Sequence, residues 1–130
     1  MNNILITSVG RRVSLVKAFK KSSVILKTES KVFITDLNPK TSPASYFADN
    51  SFKIGYFNDT NYIDNLLEIC LKNSISIVIP TLDTELVLLS NAKGAPFSNF
   101  LAISVCNSFN FNSVIFYYFS TPQTHFFQNE

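Results

Sequence analysis

Glycine is scarce in this chain, with three residues in 130, and only Gly10 falls in the turn after the first apolar run. A dinucleotide-binding turn needs three glycines, and a phosphate loop needs a second glycine followed by Lys and Ser or Thr. Neither pattern is present, which argues against a nicotinamide, flavin or phosphate-loop cradle. The two cysteines, Cys70 and Cys106, are far apart and lack C-x-x-C spacing, so they read as reduced, buried thiols and not as a metal or disulfide framework. A single histidine, His125, supports no Ser-His-Asp or Cys-His machinery. No apolar run approaches the roughly 20 residues that span a bilayer, and no signal peptide precedes the first strand. A cytoplasmic protein without a membrane partner is expected. Charged residues make up only 15% against 46% hydrophobic, which excludes a disordered, highly charged chain. Eleven Lys and Arg against nine Asp and Glu give a net charge of +2, too weak a field to point to nucleic acid.

What is present has the length of one modest domain and alternates strands with helices. Asn3 to Ser8 (NILITS) and Lys31 to Asp36 (KVFITD) are near-continuous apolar runs of the kind buried on both faces of a parallel sheet. Ile75 to Ile79 (ISIVI), closed by Pro80, predicts a third such strand. Between them, Val13, Leu15, Val16 and Phe19 recur at helical spacing over Arg11 to about Ser22, with Lys17, Lys20 and Lys21 facing away or near the carboxyl-terminal end. Asn61 to Lys72 carries Ile63, Leu66, Leu67, Cys70 and Leu71 on one face, with Asn61 and Asp64 resembling a capping box. Asp83 to about Asn91 predicts a further helix. Residues 44 to 57 suggest one helical turn and a short edge strand, and FLAIS a fourth buried strand. The β-α-β-α-β-α order implies an α/β, Rossmann-like three-layer fold: a parallel sheet of four to five strands, right-handed crossovers and helices on both faces. Its ligand site belongs at the carboxyl ends of the strands, which are Thr7 to Gly10, Asp36 to Asn38 and Thr81 to Glu85.

At those ends each candidate has two readings. Arg11 and Arg12 sit at a helix amino terminus, where positive charge opposes the dipole. They need a counter-anion, either Asp36 or Asp83 from neighbouring strand ends, or a bound phosphate or carboxylate. Asp36 could accept a ribose hydroxyl or close its own loop, DLNP, as an Asx turn, and the missing glycine fingerprint favours the turn. Thr81, Asp83 and Glu85 could hold a metal or an amine. Without a further His or acid nearby, their better role is to stabilise the first turn of the next helix. No metal or catalytic residue is assigned.

The segments ILITSVGRRVSLVKAFK, VFITDLNP, ASYFAD, NYIDNLLEIC and IVIPTLDTEL come in the order and spacing of a known domain. Over about residues 1 to 92 the chain resembles the amino-terminal domain of ATP-grasp ligases similar to the carbamoyl-phosphate synthase large subunit. The resemblance implies a pre-ATP-grasp domain over residues 1–104 that forms one wall of the acceptor-substrate site in enzymes that activate a carboxylate as an acyl phosphate. By position that wall comprises Gly10, Arg11, Arg12, Asp36, Asn38, Thr81, Asp83 and Glu85.

Residues 105–130 form an aromatic stretch, expected to be irregular, in which STPQTHFF is similar to the linker into the ATP-binding domain. Where the family has an Asp-Lys pair after the Asn, this chain has Ser108 and Phe109 after Asn107. The resemblance implies ATP and magnesium for the full-length enzyme, none of it bound in this chain. It implies a chain that stops before its ATP-grasp domain and is inactive alone. Its partners would be a small carboxylate or amine and a missing or separately encoded ATP-grasp domain, with a homodimer left open. Two other readings are a free-standing module that binds a small anion or nucleotide at Gly10 to Arg12, and a domain that docks a separate catalytic chain through its aromatic tail.

Overall fold

The computed structural model describes residues 3–92, 101–105 and 114–118. Nine principal elements run in the order β1 (Asn3–Thr7), α1 (Val13–Ile25), β2 (Val32–Asp36), β3 (Asn50–Lys53), α2 (Tyr62–Lys72), β4 (Ile75–Pro80), α3 (Asp83–Asn91), β5 (Leu101–Val105) and β6 (Val114–Tyr118). They build one sheet in the order β3-β2-β1-β4-β5-β6. The first five strands of that order are parallel, and β6 runs antiparallel along β5. The α/β, Rossmann-like expectation holds. The antiparallel strand lies in the stretch expected to be irregular, where no clean period marks it. The other aromatic residues of that stretch, with His125 and Cys106, lie outside the described residues.

β1 is central because its residues tolerate burial on both sides. Leu5, Ile6 and Thr7 have no exposed surface. Alternation sends Ile6 with Ile34 and Ile79 to the face covered by Val16 of α1, while Leu5 with Phe33 and Val78 meets Tyr62, Leu66 and Cys70 of α2 and Leu89 of α3. Helices therefore cover both faces, and each fully buried aliphatic side chain contributes about 1.5–3 kcal/mol. A register shift between Asn3 and Ile4 sets two residues of β4 against one step of β1. That bulge lets Ile75 join Val78 on the α2 face while Ile77 and Ile79 turn to the other.

Three local expectations change. Helix α1 continues to Ile25, past its lysines, so no basic residue lies in its last turn and Val24, Ile25 and Leu26 are exposed. Its buried Ser23 donates to the Ser30 carbonyl at 2.8 Å, and the chain leaves the helix through Lys27 and Glu29 in the left-handed region. On α2 the buried face is Tyr62, Leu66 and Cys70, with Leu71 outside. Asn61 makes no side-chain cap, so the capping box does not form. Upstream, the Asp59 carboxylate accepts the Tyr56 amide at 2.9 Å. Among the described residues, no helix is long and apolar enough to cross a membrane.

Candidate functional site

The chain leaves β1, goes out to β2 and β3, and returns across the sheet to β4, so the carboxyl ends of β1 and β4 flank the point where the strand order reverses. This is where an open α/β sheet offers a crevice. The turn from Ser8 to Arg12 stands there. Ser8 has φ +50° and Gly10 φ +52°. A Cβ at Gly10 would meet nothing within 4 Å, so glycine is required by the left-handed backbone and not by crowding.

Neighbouring strands and loops hold this turn through its own backbone. The Thr81 hydroxyl donates to the carbonyls of Thr7 and Ser8, at 2.9 Å each. The Val9 amide reaches the Thr35 carbonyl at 3.3 Å, and the Arg12 amide closes on the Val9 carbonyl at 3.0 Å. The Gly10 carbonyl accepts from the Ser42 hydroxyl at 2.8 Å, and the Gly10 amide donates to Asp36 Oδ2 at 2.9 Å. With its amide so occupied, Gly10 is not an open phosphate donor. The absence of a phosphate cradle here agrees with the missing glycine patterns.

Asp36 behaves as the loop-closing carboxylate. Its Oδ1 accepts the Asn38 amide at 3.1 Å, the Asx turn of DLNP. Both of its oxygens are therefore engaged by amides, and it does not pair with the arginines. Among the described residues the ion pairs are Lys20 with Asp49 and Lys72 with Glu68. Arg12 instead donates through its guanidinium to the Thr81 carbonyl at 3.2 Å. Arg11 and Arg12 are both exposed beside the corner.

Beneath the turn lies a buried carboxylate. Glu85, in the first turn of α3, has no exposed surface. It accepts from the Thr7 hydroxyl at 2.6 Å, the Tyr62 phenol at 2.7 Å and the Ser8 hydroxyl. Burial, then the adjacent Glu85 charge, pushes the Tyr62 phenol well above its ordinary range and keeps it a donor. The Thr35 hydroxyl, also fully buried, has no partner.

Of the eight residues expected to form a wall, the structure thus joins Gly10, Asp36 and Asn38 in one hydrogen-bonded group and Arg12 with Thr81 in another. Glu85 supports the corner from below through Ser8, and its oxygens face the interior. Asp83 is exposed in the first turn of α3. Sequence reasoning placed Thr7 and Ser8 at the strand end without giving them a role, and it missed Ser42 and Tyr62. Of these last two only Tyr62 left a signal, because it precedes Leu66 and Cys70 at intervals of four.

This strand order, reversing between β1 and β4 with helices on both faces, defines a Rossmann-like α/β domain. The chain belongs to the family described as PylC-like, N-terminal domain, whose model matches residues 4–105. It is accordingly the amino-terminal domain of an ATP-grasp ligase-type protein. Comparison with curated proteins returned no match.

Proposed function

We propose that this domain forms the acceptor-substrate wall of an ATP-grasp ligase that joins a small carboxylate to an amine, by way of an acyl phosphate as in enzymes resembling the carbamoyl-phosphate synthase large subunit. The observation that carries this reading is the corner itself. Its Gly10 amide and carbonyl are taken up by Asp36 and Ser42, while Arg11 and Arg12 are exposed beside it at the strand-order reversal. Such a corner presents two adjacent arginines from one braced turn, and a guanidinium binds a carboxylate through paired hydrogen bonds. Arg12 is further oriented by the Thr81 carbonyl.

ATP and magnesium belong, on this reading, to a separate ATP-grasp domain. Among the described residues no group of three or more His, Cys, Asp or Glu could hold a metal, and the Gly10 amide is occupied. The described residues offer neither the acid cluster nor the open backbone cradle that a magnesium nucleotide needs. The reaction belongs in the cytoplasm, consistent with Cys70 as a free buried thiol.

Two measurements test this. The purified 130-residue chain should show no magnesium-dependent ATP hydrolysis above a blank, and turnover would refute the division of labour. Thermal stabilisation by small carboxylates should disappear in the Arg11→Ala/Arg12→Ala variant. Stabilisation that survives the double substitution would refute the wall.

A further inference from the structure

The connection from β2 to β3 contains no full helix, only two 3-10 turns, Pro39–Thr41 and Pro43–Phe47. Edge strand β3 is consequently left open on one face. Its Phe52 packs against Phe33 on the α2 side, with ring centroids 5.9 Å apart, and alternation turns Ser51 and Lys53 to the other side, in register with Ile34 and Asp36. There the two turns and the strand line an open cavity of about 780 Å3, bounded by Asn38, Lys40, Ser45, Tyr46, Ser51 and Lys53 among others. That volume lies within the roughly 300–1,000 Å3 of small-molecule sites.

Three features of the lining point to one kind of ligand. Its charged residues, Lys40 and Lys53, are both cationic, and neither is in an ion pair among the described residues. The acid in register with Lys53 is Asp36, whose oxygens are held by the Gly10 and Asn38 amides. The Ser45 hydroxyl is buried without a partner, although buried hydroxyls ordinarily find one. Tyr46 is 80% exposed, whereas the ring of the adjacent Phe47 is covered by the Lys17 ammonium at 4.1 Å from its centroid.

We propose that this cavity binds a small phosphorylated metabolite with a planar ring, the phosphate held by Lys40 and Lys53 and the ring stacked on Tyr46. A phosphate monoester carries about −1.5 to −2 charge at neutral pH, which matches two ammonium groups. An exposed aromatic ring is a sequence-tolerant platform for a planar base. The site is separate from the Ser8 to Arg12 corner, shares only Asn38 with the expected wall, and does not depend on the acceptor reading.

Calorimetric titration of the 130-residue chain with AMP, adenosine and inorganic phosphate tests it. AMP should bind saturably, and adenosine or phosphate alone should bind at least tenfold more weakly. Lys40→Ala and Lys53→Ala should each weaken AMP about tenfold, the loss of one charge-assisted hydrogen bond. Tyr46→Ala should weaken AMP and leave phosphate unchanged. Lys27→Ala/Lys31→Ala, at the opposite end of the sheet, should change nothing. All these side chains are exposed, and circular dichroism verifies that the variants fold. Absence of saturable AMP binding overturns the proposal. So does equal affinity for AMP and phosphate, or an equal loss in the Lys27/Lys31 control, which would mark a diffuse basic field.

Discussion

Replacing Glu85 by Ala should destabilise the domain more than its position in a helix first turn suggests. Its carboxylate is the acceptor for three hydroxyls, and two of the donors, on Thr7 and Tyr62, are almost wholly buried. A buried donor left without a partner costs about 1–3 kcal/mol. Two such donors and a half-buried Ser8 put Glu85→Ala at about 3–5 kcal/mol. Glu85→Gln keeps the shape and one acceptor, and should cost about 1–2 kcal/mol on the same basis. Tyr62→Phe removes one donor and should cost about 1 kcal/mol. Urea unfolding followed by far-ultraviolet circular dichroism measures each value. A double-mutant cycle of Tyr62→Phe with Glu85→Gln should give a coupling of about 1 kcal/mol, as expected for residues in direct contact. Glu85→Ala within about 1 kcal/mol of the parent, or strict additivity in the cycle, would refute the view of Glu85 as the buried support of the corner.

Three further outcomes follow from the same structure. Gly10→Ala should lose about 1–2 kcal/mol in the same urea assay through its left-handed backbone alone, and an unchanged midpoint would contradict that φ value. Burial tends to raise the Asp49 carboxyl, but the Lys20 ammonium, the Val32 amide and the Lys31 charge outweigh it and hold the group below its ordinary value. Its stabilisation is therefore complete above the usual carboxylate range and lost as pH falls through the depressed native value, so Asp49→Asn should flatten the acid limb of a stability-versus-pH curve. Burial pushes the Cys70 thiol up to about 12. In a Cys106→Ser background, iodoacetamide labelling at pH 8, read by mass spectrometry, should therefore track unfolding, and rapid labelling of the native protein would contradict the burial.

The sheet was legible in the sequence because buried parallel strands read as short apolar runs, as β1, β2 and β4 do. Helix faces were legible to within a residue or two. Tyr62 rather than Leu71 completes the α2 stripe, since a phenol can be buried once a carboxylate takes its proton donor. The candidate site was legible as a place and less so as a set of roles. Asp36 followed from its own loop, where an Asx turn needs only residues two apart. Glu85 did not, because its partners are 23, 77 and 78 residues away, and no local pattern encodes such a meeting. The exposed end of α1 at Val24, Ile25 and Leu26 was hidden for a related reason: the helix is stopped by left-handed Lys27 and Glu29 where a glycine would have announced it.

The long separation between Glu85 and Ser8 also bears on how the domain assembles. Strands β1, β2 and β3 are consecutive neighbours and can pair through local crossovers, whereas β4 and α3 must travel past them to reach the far side of β1. Contacts that close long loops are entropically late. The hydroxyls of Thr7 and Ser8 receive their acceptor only when α3 docks, and the Thr81 clasp on the backbone carbonyls of the same two residues forms only once β4 is in place. A nascent chain that has presented only the residues before β4 thus has the holds of Asp36 and Ser42 on the corner but neither Thr81 nor Glu85, and the fully braced arginine-bearing turn reports that folding has gone to completion.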